Sequence, residues 1–164
     1  MTDPPLDSTP VTRALEAAQI PFRFFRHPGE VHSLEQAAHE RGQQPGQVIR
    51  SIVFRLAADE FIMVLVAGPR QLPWPRLRNF LGASRMSMAT PQEILDATGY
   101  PIGAVSPIGL PRPMRILADH GVFEPVEISI GSGVRHTTVI MQSADLRRAL
   151  GEIESGDFLS DEPP

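Results

Sequence analysis

The chain contains no cysteine, which excludes a disulfide framework, a thiolate zinc site and a cysteine nucleophile supplied by the protein. It also contains no lysine, since all 15 basic residues other than histidine are arginine. Schiff-base chemistry and a lysine general base are excluded with it. Tryptophan and tyrosine occur once each, and no apolar run approaches the ~20 residues of a membrane span. The first residues, Met-Thr-Asp-Pro-Pro-Leu-Asp, lack the basic and apolar regions of a signal peptide. These absences lead us to expect a soluble cytoplasmic protein. At 164 residues the chain fits one domain with a core large enough to stand without staples.

The formal net charge is −4, which argues against DNA binding. The acids are unevenly placed, however: Asp3, Asp7, Glu152, Glu154, Asp157, Asp161 and Glu162 lie in the two ends. The body between them carries an excess of arginine, which fits either a modest basic face for phosphates or scattered surface arginines.

Residues 1–8, rich in Pro and Asp, read as a disordered tail. Thr9 as N-cap and Pro10 at the first helical position open a helix over about 10–19. A strand over 20–26 ends at His27-Pro28-Gly29. Ser33-Leu34-Glu35-Gln36 is a capping box for a helix running to about Arg41. Val48–Phe54 and Phe61–Val66, rich in β-branched and aromatic residues, read as paired central strands. A short helix over 75–81 closes at Gly82, and 84–88 reads as a brief strand. Thr90-Pro91-Gln92-Glu93 then starts a helix that Gly99 ends. Strands are expected at 115–118, 126–130 and 137–141, with a hairpin turn at Gly131-Ser132-Gly133. Ser143 is expected to cap a last helix with Leu146, Leu150 and Ile153 inward, followed by a mobile acidic tail over 156–164. The pattern gives an α+β domain over 9–155, with a mixed central β-sheet of six to seven strands flanked by helices.

The most unusual stretch is Thr98–Gly109, which holds three glycines and two prolines in twelve residues yet keeps apolar residues between them. Glycine permits positive φ and close approach to the backbone, while proline fixes φ and removes a donor, so this is a rigid shaped loop whose free N–H groups can face a ligand. The other motifs are weaker. His32 and His39 lie outside any His-Glu-x-x-His frame, so no metal site is expected. Ser106, His136 and Asp119 can be assembled into a triad only on paper, because no Gly-x-Ser-x-Gly elbow surrounds a serine. Gly131-Ser132-Gly133 leads into a strand instead of a helix, which excludes a dinucleotide fingerprint. Arg50 stands inside an apolar strand, on the face of Val48 and Ile52. A charge there must pair, snorkel or face a cleft.

Val48-Ile49-Arg50-Ser51-Ile52-Val53-Phe54, the segment Gly99-Tyr100-Pro101-Ile102-Gly103-Ala104-Val105-Ser106-Pro107-Ile108-Gly109, Ile116-Leu117-Ala118-Asp119, and the Gly131–Gly133 turn with Ala144-Asp145-Leu146 together resemble the YbaK family, the prolyl-tRNA-synthetase-associated editing domain. The likeness covers about residues 10–150. It implies a free-standing hydrolase of mischarged aminoacyl-tRNA, typically tRNA for proline carrying cysteine or alanine. No cofactor is implied. The implied partners are the aminoacyl-tRNA acceptor end and a prolyl-tRNA synthetase, with no membrane. Carried onto this chain, the resemblance makes Arg50 and Gly103 the catalytic positions. It puts Ser51, Ala104, Ser106, Pro107, Gly109, Asp119 and Gly131 around the substrate, with Asp119 facing Arg50 or the substrate amino group. Backbone N–H groups near Gly103 and Ala104 would hold the developing negative charge, a donor whose loss typically costs ~3 kcal/mol. The family has lysine where this chain has Arg50. Arginine keeps the charge but brings a larger planar fork that stays protonated at neutral pH. The chain is therefore expected either to hydrolyse with Arg50 orienting the aminoacyl group, or to bind aminoacyl-adenosine or aminoacyl-tRNA without cleaving it.

Overall fold

The computed structural model describes residues 7–160. Its centre is the antiparallel pair β2 (Ile49–Ala57) and β3 (Glu60–Ala67), joined by a two-residue turn in which Asp59 takes a positive φ of 60°. β3 reads Phe-Ile-Met-Val-Leu-Val after its first residue because both of its faces are covered. Met63 and Leu65 enter one apolar cluster, and Ile62, Val64 and Val66 enter the other.

The strands fall into two sheets, where one central sheet was expected. The larger has the order β4-β2-β3-β5-β8, with β4 at Ser87–Met88, β5 at Arg115–Asp119 and β8 at Glu154–Gly156. β5 runs parallel to β3, and β8 parallel to β5. The smaller sheet is antiparallel in the order β1-β7-β6, from Arg23–Arg26, Thr137–Gln142 and Glu127–Gly131. A single bridge between Val48 and Ser129 links them. The first cluster fills the space between the sheets, with Ile49, Val53 and Leu65 from one and Ile128, Ile130, Val139 and Met141 from the other. The α+β class and the single domain stand. Alternation along one strand cannot reveal which strands share a sheet.

Five helices flank the sheets among the described residues. α1 (Pro10–Ala17) starts at Thr9, whose hydroxyl accepts from the Thr12 N–H. α2 (Leu34–Glu40) starts at Ser33, although the Gln36 side chain reaches back to the His32 N–H and not to that of Ser33. α3 spans Trp74–Leu81. α4 (Pro91–Thr98) has the full reciprocal box of Thr90 and Glu93 and ends at Gly99 with φ 78°. α5 (Ser143–Leu150) departs from expectation at both ends. Gln142 holds the cap position while the Ser143 hydroxyl donates to the Pro125 carbonyl, and Ile153 lies beyond the last turn.

The disordered stretch expected over 1–8 falls mostly on residues 1–6, outside the described residues. The mobile tail expected from 156 onward is corrected for 156–160. Phe158 and Leu159 are buried in the second cluster, the Phe158 N–H donates to the Asp119 carboxylate at 2.8 Å, and Arg76 donates to the Leu159 carbonyl. Two large apolar side chains among acids are enough to hold that segment down.

Candidate functional site

A cleft of about 310 Å³ opens at the seam between the two sheets. Its walls are β2 from Ile49 to Val53, Ile130 and Gly131 at the end of β6, Thr137 and Thr138 at the start of β7, Ile94 of α4, and Ile102, Gly103 and Val105 of the glycine loop. Arg41, Val48 and Met88 complete it. This balance of apolar walls with a few convergent polar groups is what a small-ligand site requires. A larger hollow of about 580 Å³ lies between Asp59–Phe61 and Arg112–Arg115. Several of its charges are already engaged: Arg115 grips Glu154 through two 2.7 Å bonds, Glu93 takes Arg55 at 3.0 Å, and Arg112 donates to the Asp96 carbonyl at 2.8 Å. Among the described residues, no group of three or more His, Asp or Glu is placed to hold a metal ion.

Of the positions expected around the substrate, Arg50, Ser51, Gly103 and Gly131 line the cleft together. Ser51 is in phase with Ile49 and Val53 on the strand, so it faces the space between the sheets. Its hydroxyl is buried and has no hydrogen-bond partner among the described residues. A buried hydroxyl without a partner beside a cleft is free to bond a ligand or an ordered water. Arg50 is in phase with Ile52, which packs against the other cluster. Its Nε–H donates to the Gly68 carbonyl at 2.8 Å, and Nη2 donates to the Arg70 carbonyl. Burial lowers the pKa of its guanidinium from the usual value.

The loop divides at Val105. In the front half, the Ala104 N–H donates to the Pro101 carbonyl at 3.0 Å, closing a turn whose third residue, Gly103, has φ 89°. This is the geometry that demands glycine at that place in a type II turn. The Gly103 N–H has no acceptor among the described residues. Ala104 is corrected from the expected wall of donors: its N–H is spent on the turn, its carbonyl accepts from Gly133, and its side chain is buried. In the back half, the Ser106 hydroxyl accepts from the Ile108 N–H at 3.1 Å, and both Ser106 and Pro107 are buried away from the cleft. At Gly109 a Cβ would come within 2.7 Å of the Pro10 carbonyl and of the Tyr100 hydroxyl. These three hold the loop's shape and do not line the cleft.

Gly131 lines the cleft for a different reason. A Cβ there would lie 2.0 Å from the Val105 carbonyl oxygen, so bare backbone is what lets the loop cross β6. Asp119 is corrected from a partner of Arg50. Its two carboxylate oxygens accept from the Gly121 N–H at 3.0 Å and the Phe158 N–H at 2.8 Å, which makes it a cap and a clamp for the C-terminal segment. The paper triad does not assemble either, since His136 is exposed in the β6–β7 turn with φ 67°.

Arg41 was missed by sequence reasoning. A basic residue closing a helix complements the dipole, so nothing local marks it as a cleft residue. What pulls it inward is the Ser129 hydroxyl, 88 positions away, which accepts from Nη1 at 2.8 Å.

The profile of the family described as the aminoacyl-tRNA editing domain matches residues 28–149. The proline–tRNA ligase of Thermosipho melanesiensis is 34 % identical over 100 residues, which is 61 % of this chain and 17 % of the ligase. That of Nitratidesulfovibrio vulgaris strain DP4 is 34 % identical over 113 residues, 68 % of this chain and 18 % of the ligase. The chain thus matches less than a fifth of either enzyme. A solved structure described as a candidate trans-editing enzyme for prolyl tRNA synthetase superposes with a TM-score of 0.83 at 23 % identity, covering 96 % of this chain and 99 % of the other. The family match takes in β2, α4, the glycine loop and the β6–β7 hairpin, the elements that build the cleft, and the chain belongs to the aminoacyl-tRNA editing domain family.

Proposed function

We propose that this protein hydrolyses the ester of mischarged aminoacyl-tRNA in trans, with tRNA for proline carrying cysteine or alanine as its substrate. The observation that carries the reading is the meeting of the free Gly103 N–H and the orphaned Ser51 hydroxyl in one cleft of about 310 Å³. In this reading water attacks the ester carbonyl carbon and gives up a proton; attack by the neighbouring ribose hydroxyl would only move the ester, and attack by a substrate thiol would give a cyclic thioester that water must then open. Negative charge develops on the carbonyl oxygen, where the Gly103 N–H offers a fixed donor. The C–O bond to the ribose then breaks, and the ribose oxygen takes up a proton. Ser51 donates to or accepts from the aminoacyl group. The acceptor end of the tRNA is the partner, a prolyl-tRNA synthetase delivers it, and the cytoplasm is where both are met.

A second reading is favoured by one specific observation: the Arg50 guanidinium is held by two main-chain carbonyls, which tethers it in the absence of substrate. Here the protein binds aminoacyl-adenosine or aminoacyl-tRNA without cleaving it. One experiment separates the two. Release of amino acid is measured across a panel of mischarged tRNAs for the wild type, Arg50→Lys and Arg50→Ala. Hydrolysis predicts turnover by the wild type and a loss of about tenfold or more in Arg50→Ala. Binding without turnover, with activity gained in Arg50→Lys, selects the second reading, and no turnover or binding by any form sinks both.

A further inference from the structure

Arg41 caps the C-terminus of α2 and lines the cleft with Ser51, Gly131, Thr137 and Thr138. Its Nε–H donates to His27 Nε2 at 3.1 Å and Nη1 donates to the Ser129 hydroxyl at 2.8 Å. Neither acceptor carries charge. His27 Nε2 must hold a lone pair to accept from Arg41, so the ring is the neutral tautomer with its proton on Nδ1, which donates to Glu40 at 2.7 Å. Glu40 takes a second bond at 2.9 Å from the Gln36 amide. These two bonds hold its carboxyl below the usual range, so it stays an anion. No carboxylate is hydrogen-bonded to Arg41 itself, and Nη2 has no hydrogen-bond partner among the described residues. Burial lowers the guanidinium only to about 10, so it remains a cation at neutral pH.

Arg41 is half-buried, and a cation drawn partly out of water is ordinarily met by an anion, because neutral acceptors return less than the lost hydration. Here the hydrogen-bond acceptors are both neutral, the Glu40 anion acts on Arg41 only through space, and Arg41 sits on the wall of a ligand-sized cleft. The chain Gln36–Glu40–His27–Arg41–Ser129 also fixes the guanidinium plane, so little side-chain freedom is left to lose on binding. We propose that Arg41 is a ligand-binding residue that receives an anionic oxygen, either a phosphate oxygen of the acceptor-end nucleotide or, on an acidic aminoacyl group in place of the alanine or cysteine proposed above, a side-chain carboxylate. This rests on the cleft being the ligand site of the proposed function, but not on hydrolysis taking place.

The test uses the full chain and four probes: adenosine, adenosine monophosphate, and alanine and aspartate each joined to adenosine through a non-hydrolysable amide. Affinities are measured by titration for the wild type, Arg41→Gln and Arg41→Lys. Arg41→Gln is expected to weaken an anionic probe about ten- to a hundredfold and to leave adenosine and the alanyl probe unchanged, with Arg41→Lys recovering part of the loss. Loss confined to adenosine monophosphate assigns a phosphate, and loss confined to the aspartyl probe assigns a carboxylate. Equal loss for neutral and charged probes, or none for any, overturns the inference. If no probe binds the wild type, the ligand site itself fails; if neutral probes bind and charge makes no difference, only the role of Arg41 fails. The Arg41 Nε–H resonance of the wild type gives a reading that needs no variant, because it shifts with an anionic probe and stays in place with adenosine.

Discussion

Gly103 and Gly109 belong to one loop and both take positive φ, 89° and 74°, yet they are glycines for opposite reasons. Around Gly103 a Cβ would meet nothing within 4 Å, and the neighbouring Ile102 is 48 % exposed at the cleft rim. Around Gly109 a Cβ would press on the Pro10 carbonyl and the Tyr100 hydroxyl, both at 2.7 Å. The front half of the loop puts Gly103, whose N–H has no acceptor among the described residues, on the cleft wall. The back half is folded onto Tyr100, whose hydroxyl donates to the Ile108 carbonyl at 2.6 Å, and is seated on α1. A high density of glycine therefore marks where the chain is constrained, without saying whether a ligand or the protein itself imposes the constraint.

Gly131 joins the two cases, since it lines the cleft and is also packed, and it should give the largest effect. In Gly131→Ala the new methyl would sit 2.0 Å from the Val105 oxygen and 3.0 Å from that of Ala104. Both are main-chain atoms, so the loop must lift off β6. We expect a loss above about 3 kcal/mol in urea denaturation. A loss under about 1 kcal/mol would mean that the crossing is not rigid. The next effect separates the two loop glycines. Gly109→Ala adds steric overlap to left-handed strain and should cost about 2–3 kcal/mol, while Gly103→Ala carries the strain alone, about 1 kcal/mol. Activity should run the other way. Relief of the strain in Gly103→Ala turns the peptide plane and its N–H away from the cleft, so deacylation should fall about tenfold or more in the more stable of the two variants. Equal stability costs, or activity lost only with stability, would erase the distinction between the halves.

How much of this was legible in the sequence follows from the range of the forces involved. The Thr90-Pro91-Gln92-Glu93 start of α4 and its Gly99 stop were readable because caps are satisfied within one turn. The two-sided burial of β3 was readable from its unbroken apolar run. Ser51 and Gly131 were expected around the substrate through the family resemblance alone, since nothing in either residue's neighbours shows what crosses it, and both line the cleft. Asp119 was misplaced because one of its two hydrogen bonds serves Phe158, 39 positions on, and the tail that carries Phe158 read as solvent-loving. Ala104 was misplaced because a free-looking N–H in a glycine loop can be consumed by a turn of its own. Arg41 was invisible because its partners, His27 and Ser129, come from two other segments.

The smallest expected effect sharpens the structural role of the back half. Burial pushes the Tyr100 hydroxyl up to about 12, against a weaker opposing pull from Arg13, where an unfolded tyrosine titrates near ~10. The folded chain thus keeps this proton over a range in which the unfolded chain has lost it. The stabilisation is complete below about pH 10 and fades as pH rises toward about 12. Tyr100→Phe removes both the donor to the Ile108 carbonyl and this titration. It should be less stable than the wild type by about 1 kcal/mol at pH 8, and the gap should narrow as the pH climbs, because only the wild type has a buried phenol to ionise. Urea midpoints for the two proteins across about pH 8 to 12 give the comparison. A gap that stays constant over that range would mean that Tyr100 ionises as freely in the folded chain as in the unfolded one, and that the back half of the loop is not closed around it.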